Sequence, residues 1–150
     1  EHHKSLGHTF NTEPFCLDTI YTNKRNKSPI LQATQRIPHL KLEEYGASNP
    51  FLYYLPMTNK DITFIQRYRP GSSYPNHHDG SVLTFLYLIK VKEYTGGHLI
   101  FSKYNYTPHI PHNSCLIFPP YEIHRVSEVF SKTKDKDPVR FSINRRYYIK

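Results

Sequence analysis

The sequence of 150 residues contains no tryptophan, one methionine and only two cysteines. Cys16 and Cys115 lie far apart and do not make the disulfide framework of a small secreted domain, so we expect a reducing, cytoplasmic location. An apolar run near 18 residues is also missing, which argues against a membrane-spanning helix. Hydrophobic residues make up 37% of the chain, enough to bury one core at this length. We therefore expect one soluble domain.

Acidic residues are the scarcer charged class, with 12 Asp and Glu against 20 Lys and Arg and a formal net charge of +8. Such an excess can indicate a nucleic-acid partner. The basic residues are scattered, however, and the group at residues 132–136 is interleaved with acidic residues, as is common in solvated hairpin tips. Nucleic acid is therefore less favoured as a partner than a small molecule or a peptide.

The residue pattern changes near position 60. Residues 1–60 show ragged helical spacing, with a helix start at Ser28-Pro29, and we expect them to form a partly helical support segment. In residues 61–150, short segments rich in Val, Ile, Phe and Tyr alternate with turn residues, which is typical of a sandwich or barrel. The predicted strands are residues 62–68, 82–91, 98–103, 114–118, 122–130 and 139–149, and residues 51–56 are left open between an edge strand and a flap.

A histidine and a carboxylate lie two residues apart after a Pro-Gly turn. In an extended segment, His77 and Asp79 point to the same side, so both can bind one metal ion, whereas His78 faces the other way. His124 is the best-placed third imidazole downstream. Two histidines and one carboxylate form the facial triad of non-heme Fe(II) oxygenases.

Arg140 follows this triad within an alternating strand. Such an arginine can be a solvated strand charge, but a guanidinium also binds a carboxylate through two parallel hydrogen bonds. A metal triad combined with a fixed arginine is what a dicarboxylate cosubstrate requires.

The order and spacing of these motifs resemble the Fe(II)/2-oxoglutarate-dependent dioxygenases, and within them the prolyl-4-hydroxylase-like branch. The resemblance implies a double-stranded β-helix, a jelly-roll or cupin-like barrel, whose catalytic Fe(II) is held by His77, Asp79 and His124. It also implies 2-oxoglutarate and O₂ as cosubstrates and leaves an ascorbate requirement open. The motifs that carry it are the turn Tyr68-Arg69-Pro70-Gly71, His77-x-Asp79, Gly96-Gly97, His124-Arg125-Val126 and Arg140-Phe141-Ser142-Ile143.

The same resemblance implies a cosubstrate pocket around Arg140. Tyr87 is expected to point inward and join Arg140 at the far carboxylate, Tyr68 to be a second pocket tyrosine, and Val126 to form an apolar wall. Core packing is the alternative for each tyrosine.

Strand alternation places Asn144 and Arg146 on the same side as Arg140, and we assign both to the substrate side. Arg146 stands where the prolyl-hydroxylase branch often has an aromatic residue, which suggests an acidic substrate, although a salt bridge at the barrel rim is equally compatible. The insertion at residues 131–138 lengthens the interval before Arg140, so Arg145 and Arg146 are the fallback arginines.

The favoured function is hydroxylation of a C–H bond in a peptidyl proline or a small metabolite, and the presence of Asp79 favours hydroxylation over halogenation. The arginine pair also resembles that of nucleic-acid alkylation-repair dioxygenases, so an oxidative demethylase is one alternative. A non-catalytic metal-binding jelly-roll protein is the other. Residues 51–60 and 104–113 are the expected substrate-selecting loops.

Overall fold

The structure is a computed structural model that describes residues 12–36, 49–50, 52–132 and 136–150. Within these residues, two short α-helices and three 3₁₀ helices accompany ten strands. The α-helices are α1 (Leu17–Ile20) and α2 (Pro29–Arg36), and the 3₁₀ helices are Arg25–Lys27, Leu52–Met57 and Ser102–Tyr104. The strands are β1 (Thr12–Cys16), β2 (Lys60–Tyr68), β3 (Tyr74–His77), β4 (Leu83–Lys90), β5 (Tyr94–Gly96), β6 (Leu99–Phe101), β7 (Ser114–Phe118), β8 (His124–Val126), β9 (Val129–Ser131) and β10 (Arg140–Tyr148).

The strands form one large and two small antiparallel sheets. The large sheet has the order β1-β2-β10-β4-β7, and the small sheets have the orders β3-β8-β6 and β5-β9. Along the chain, β2, β4, β7 and β10 of the large sheet are separated by strands of the small sheets. This repeated crossing produces a double-stranded β-helix, so the predicted mainly β, jelly-roll fold is confirmed.

Two hydrophobic cores lie on opposite faces of the large sheet. The inner core joins the large sheet to the small ones and contains Tyr68, Leu86, Leu99, Phe101, Phe118, Val126, Val129 and Val139. The outer core contains Leu52, Leu83, Phe85, Tyr87 and Tyr147. Because neighbours along a strand point to opposite faces, even-numbered residues of β4 face the barrel interior and odd-numbered residues face outward.

The described part of residues 1–60 belongs to the same folded unit as the barrel. β1 pairs with β2 along its whole length, from Thr12 opposite Tyr68 to Cys16 opposite Phe64. The predicted helix start is confirmed, since α2 begins at Pro29 and the Ser28 hydroxyl accepts a hydrogen bond from the Leu31 amide at 3.3 Å. The change in residue pattern near residue 60 therefore marks where the barrel strands begin, but it is not a boundary between two folded units.

Several elements differ from the predicted ones. Residues 52–56 belong to a 3₁₀ helix, with Leu52 buried in the outer core, so the edge strand does not form there. The predicted strand at 122–130 is two strands, because β8 pairs with β3 and β6 whereas β9 pairs with β5. None of the described helices is long and apolar enough to cross a membrane.

Arg145 is a buried structural residue on the outer face of the large sheet. Its Nη1 donates to the Leu31 carbonyl at 3.1 Å and to the Thr34 hydroxyl at 3.0 Å, and its Nη2 lies 2.8 Å from Asp61 Oδ2. These contacts join β10 to α2 and β2. Arg145 therefore points away from the barrel interior and is excluded as the fallback cosubstrate arginine.

Replacing Arg145 with alanine should destabilise the fold by about 3 kcal/mol, because breaking a buried ion pair leaves polar groups without partners. Urea unfolding measures this change. Arg67→Ala is the matched control, since Arg67 forms a partly exposed ion pair with Glu13 on the same sheet and should cost about 1 kcal/mol or less. Equal losses for the two variants would contradict the structural role of Arg145.

Candidate metal centre and cosubstrate pocket

The three predicted metal ligands converge at one end of the barrel. His77 ends β3 and pairs across the small sheet with His124, the first residue of β8, and Asp79 follows His77 by two residues. One ligand atom from each residue lies within 4.8 Å of the others. In the described part of the chain, no other group of His, Cys, Asp or Glu side chains is arranged to hold a metal ion.

Backbone carbonyls orient both imidazoles. His77 Nδ1 lies 3.0 Å from the Pro75 carbonyl oxygen, and His124 Nδ1 lies 2.7 Å from that of Glu122. Each carbonyl favours the tautomer with hydrogen on Nδ1, which leaves the Nε2 lone pair for a metal. The ring centroids are 4.2 Å apart, so both imidazoles can bind the same metal ion.

Both imidazoles are held neutral. Burial, reinforced by the neighbouring His124 ring, lowers the pKa of His77 from 6.5 to about 4. Burial likewise lowers the pKa of His124. At neutral pH the two histidines are therefore in the unprotonated form that binds a metal.

The Asp79 carboxylate is buried and aimed at the histidines. Its Oδ2 accepts a hydrogen bond from the Thr84 hydroxyl at 2.8 Å, and its amide donates to the Pro120 carbonyl at 2.8 Å. Its Oδ1 lies 3.7 Å from His77 Nε2 and forms an ion pair with Arg146. Two neutral imidazoles and one carboxylate form a donor set that fits Fe(II).

Arg140 is a buried cation with free hydrogen-bond donors. It is 1% exposed, and its guanidinium carbon lies 4.3 Å from the centre of the Tyr68 ring. Its Nε and Nη1 are buried and have no hydrogen-bond partner among the described residues. An unpaired buried charge is costly, so this guanidinium is suited to an anion such as the far carboxylate of a dicarboxylic acid.

Tyr68 lies beside Arg140, and Val126 lies in the same inner core as Tyr68. Tyr68 is opposite Arg140 in the β2–β10 pair and therefore shares its inward face. Burial raises the pKa of Tyr68, so its hydroxyl stays protonated and able to donate. Val126 is buried in the inner core beside Leu99. Both are available to line a cosubstrate pocket.

The prediction that Tyr87 points inward beside Arg140 is wrong. Arg140 pairs with Lys90, and Tyr87 pairs with Ile143, an outward-facing position of β10. Tyr87 therefore lies in the outer core with Phe85, where burial raises its pKa. The strand was predicted correctly, but its register against β10 is not visible in the sequence.

Asn144 and Arg146 share the inward row with Arg140, as predicted. Asn144 Nδ2 donates to the Ser142 hydroxyl at 3.3 Å. Arg146 reaches the metal end, where it pairs with Asp79 and lies 5.3 Å from the centre of the Phe64 ring. The two arginines of this row therefore lie at opposite ends of β10, one near the metal ligands and one beside Tyr68.

Sequence reasoning missed the supporting roles of two residues, Thr84 and Gly97, although Gly97 was noted as part of a motif. Thr84 orients Asp79 through its hydroxyl, and its signal is a polar residue between the apolar Leu83 and Phe85. Gly97 has a φ of +63°, and a Cβ there would lie 3.2 Å from Arg140 Cδ and 3.0 Å from Val129 Cγ2. The glycine pair therefore lets the backbone pass close to Arg140.

Comparison with known proteins agrees with this geometry. The family profile described as the 2OG-Fe(II) oxygenase superfamily matches residues 63–148, which is more than half of the chain. The chain belongs to the 2OG-Fe(II) oxygenase superfamily. Membership in this superfamily implies Fe(II), 2-oxoglutarate and O₂. The metal triad, Arg140 and Tyr68 all lie within the matched residues.

One similar solved structure is an RmlC-like cupin protein from Desulfovibrio desulfuricans. It has 12% sequence identity and a TM-score of 0.37, with 57% of this chain and 71% of that chain covered. No curated protein matches the chain closely enough to count as a relative.

Removing a metal ligand from this oxygenase should weaken metal binding without unfolding the barrel. His77→Ala and Asp79→Ala should each lower the affinity for Fe(II) by at least about 10-fold, since even partners of the ligands are worth that much. Anaerobic calorimetry measures the affinity, and circular dichroism checks the fold. His78→Ala is the matched control because His78 is the exposed neighbour. A similar loss in His78→Ala would contradict the ligand assignment.

Substituting Gly97 should impair the Arg140 pocket more than the metal site. Gly97→Ala should weaken 2-oxoglutarate binding by about 10-fold, or about 1.4 kcal/mol, because Arg140 must shift, while Fe(II) affinity stays within about twofold. Gly71→Ala separates this effect from backbone strain, since Gly71 also has a positive φ, +85°, but has no atom within 4 Å of the added carbon. Equal effects of the two substitutions on 2-oxoglutarate affinity would refute the contact.

Proposed function

We propose that the protein is an Fe(II)- and 2-oxoglutarate-dependent hydroxylase that acts on a C–H bond of a peptidyl proline or of a small acidic metabolite. The observation that carries this proposal is the presence, inside one barrel, of a largely buried two-histidine, one-carboxylate triad and a buried guanidinium with free donors. A metal-binding protein without a keto-acid cosubstrate has no evident need for a buried guanidinium with free donors.

Each residue has a defined role in this proposal. His77, Asp79 and His124 hold Fe(II) on one face, and Arg140 with Tyr68 binds the far carboxylate of the keto acid. The bound iron, keto acid and O₂ supply the oxidising chemistry. The protein contributes neutral imidazoles, a carboxylate held by Thr84, and a largely buried site beside the inner core, which limits the access of water.

The environment of Arg146 supports an acidic substrate. Its guanidinium is the inward cation nearest the metal ligands on β10 and lies against Asp79. Its side chain is 24% exposed, so an approaching anion can reach it. The motifs His124-Arg125-Val126 and Gly96-Gly97 support the prolyl-4-hydroxylase-like branch, in which the substrate is a peptidyl proline.

A nucleic-acid oxidative demethylase is the second candidate. Its support is the pair of inward arginines six residues apart on β10, together with the net charge of +8. The two candidates differ in which compound stimulates 2-oxoglutarate decarboxylation. Proline-containing peptides or acidic metabolites stimulate it in the first case, and methylated oligonucleotides do so in the second.

The Arg140 assignment predicts a specific defect in cosubstrate binding. Arg140→Met should weaken 2-oxoglutarate binding by about 2 kcal/mol or more, close to 30-fold, while Fe(II) binding is retained. Anaerobic titration of the Fe(II) protein with 2-oxoglutarate, followed by its weak visible charge-transfer band, measures this.

Arg125→Met serves as the control for this titration, since Arg125 is exposed on β8, and it should titrate like the unmodified protein. Fe(II) binding without any band in the unmodified protein would favour the non-catalytic metal-binding alternative instead.

A further inference from the structure

The inner face of β2 and β10 becomes accessible to solvent at the metal end of the barrel. At the other end, the inward-facing Gln66 and Ser142 are buried. At the metal end, the inward-facing Ile62, Phe64 and Tyr148 are only half-buried. The barrel interior therefore opens to solvent beside the candidate metal ligands.

The outer face of the same two strands remains buried at this end. Thr63, Arg145 and Tyr147 alternate with the inward residues, and all three are buried. The inward positions of a small barrel are normally filled by side chains. Partly exposed residues on the inner face, with a buried outer face behind them, therefore indicate an opening of the barrel and not a frayed strand end.

Three side chains surround Arg146 at this opening. Ile62 is the direct partner of Arg146 in the β2–β10 pair, and the Arg146 guanidinium carbon lies 5.3 Å from the centre of the Phe64 ring. Tyr148 follows on the same face of β10, and its hydroxyl interacts with the guanidinium. We call Ile62, Phe64, Arg146 and Tyr148 the mouth floor. It combines one cation with aliphatic and aromatic surface.

The charges at the mouth floor favour an anion. A guanidinium has five N–H donors, so the pairing of Arg146 Nη2 with the buried Asp79 leaves donors for a second carboxylate. Burial raises the pKa of Tyr148, so its phenol stays neutral. Lys60 is exposed at the rim, where it pairs with Tyr148 in the same inward row, and it adds a second positive charge.

We infer that the mouth floor binds the substrate and that this substrate is an organic acid whose carboxylate is attached to an apolar body. The inference rests on the proposed function and narrows the substrate class of that site. The carboxylate binds Arg146, and the apolar body packs on Ile62 and the Phe64 ring beside the metal ligands. A proline within a peptide chain has no carboxylate of its own, and a short polar acid leaves the apolar surface uncovered.

A series of simple acids tests this substrate class. The acids are acetate, butyrate, cyclopentanecarboxylate and phenylacetate, and each is compared with its neutral primary amide. NMR titration of the Zn(II)-loaded protein with saturating 2-oxoglutarate measures affinity without turnover, because zinc has no redox chemistry. Affinity should rise about tenfold or more from acetate to phenylacetate. The two larger acids should each bind about tenfold or more tightly than their amides.

Two results of this titration would overturn the inference. Equal affinities along the acid series would show that the apolar surface does not contact the ligand. Amides that bind as tightly as their acids would show that Arg146 does not select a carboxylate. The second result would favour a peptidyl proline and leave the proposed function standing.

A matched pair of variants tests the position of the ligand. Ile62 and Ile65 lie on the same strand and are both half-buried, but Ile65 pairs with Ile143 and faces outward. Ile62→Ala should weaken phenylacetate binding about threefold or more, whereas Ile65→Ala should change it by less than about twofold. The affinity for 2-oxoglutarate should be unchanged in both variants, which checks that the barrel is intact.

Equal losses of phenylacetate affinity in the two variants would overturn the assignment of the mouth floor. That result would leave the proposed function intact, since the cosubstrate is bound elsewhere. Absence of the 2-oxoglutarate charge-transfer band in the unmodified Fe(II) protein would instead refute the proposed function itself.

Discussion

The register of β10 between β2 and β4 is the constraint on which the rest of the site depends. This strand places Arg140, Ser142, Asn144 and Arg146 inside the barrel and Arg145 outside. A slip of one residue would reverse every one of these orientations. The register is fixed because β10 pairs with β2 on one side and with β4 on the other along almost its whole length. A strand at the edge of the sheet would have only one such neighbour.

Two buried arginines on this strand show how different surroundings give one residue type different roles. Arg145 has carbonyl, hydroxyl and carboxylate partners within the protein, so its charge is compensated and it stabilises the fold. Arg140 has an aromatic ring beside it and free donors on two nitrogens. Its charge is therefore available for a ligand to compensate, as the proposed function requires.

The sequence was sufficient to predict that His77, Asp79 and His124 lie together. His77 and Asp79 share a side over two residues, and the position of His124 follows from the order of motifs. The inward orientation of Arg140 was also predictable, since the strand that carries it alternates clearly. The orientation of Tyr87 was not predictable, because it depends on which residue of β10 pairs with Tyr87. The role of Gly97 was also not predictable, since Gly97 approaches Arg140 across more than 40 residues of sequence.

The proposed function requires one ligand to bridge the metal triad and Arg140. The most direct measurement is an anaerobic crystal structure of the Fe(II) protein with 2-oxoglutarate. We predict that the keto acid contacts the metal held by His77, Asp79 and His124 and places its far carboxylate against Arg140 and the Tyr68 hydroxyl. A keto acid bound to the metal with its far carboxylate on another residue, and Arg140 still unpaired, would contradict the account.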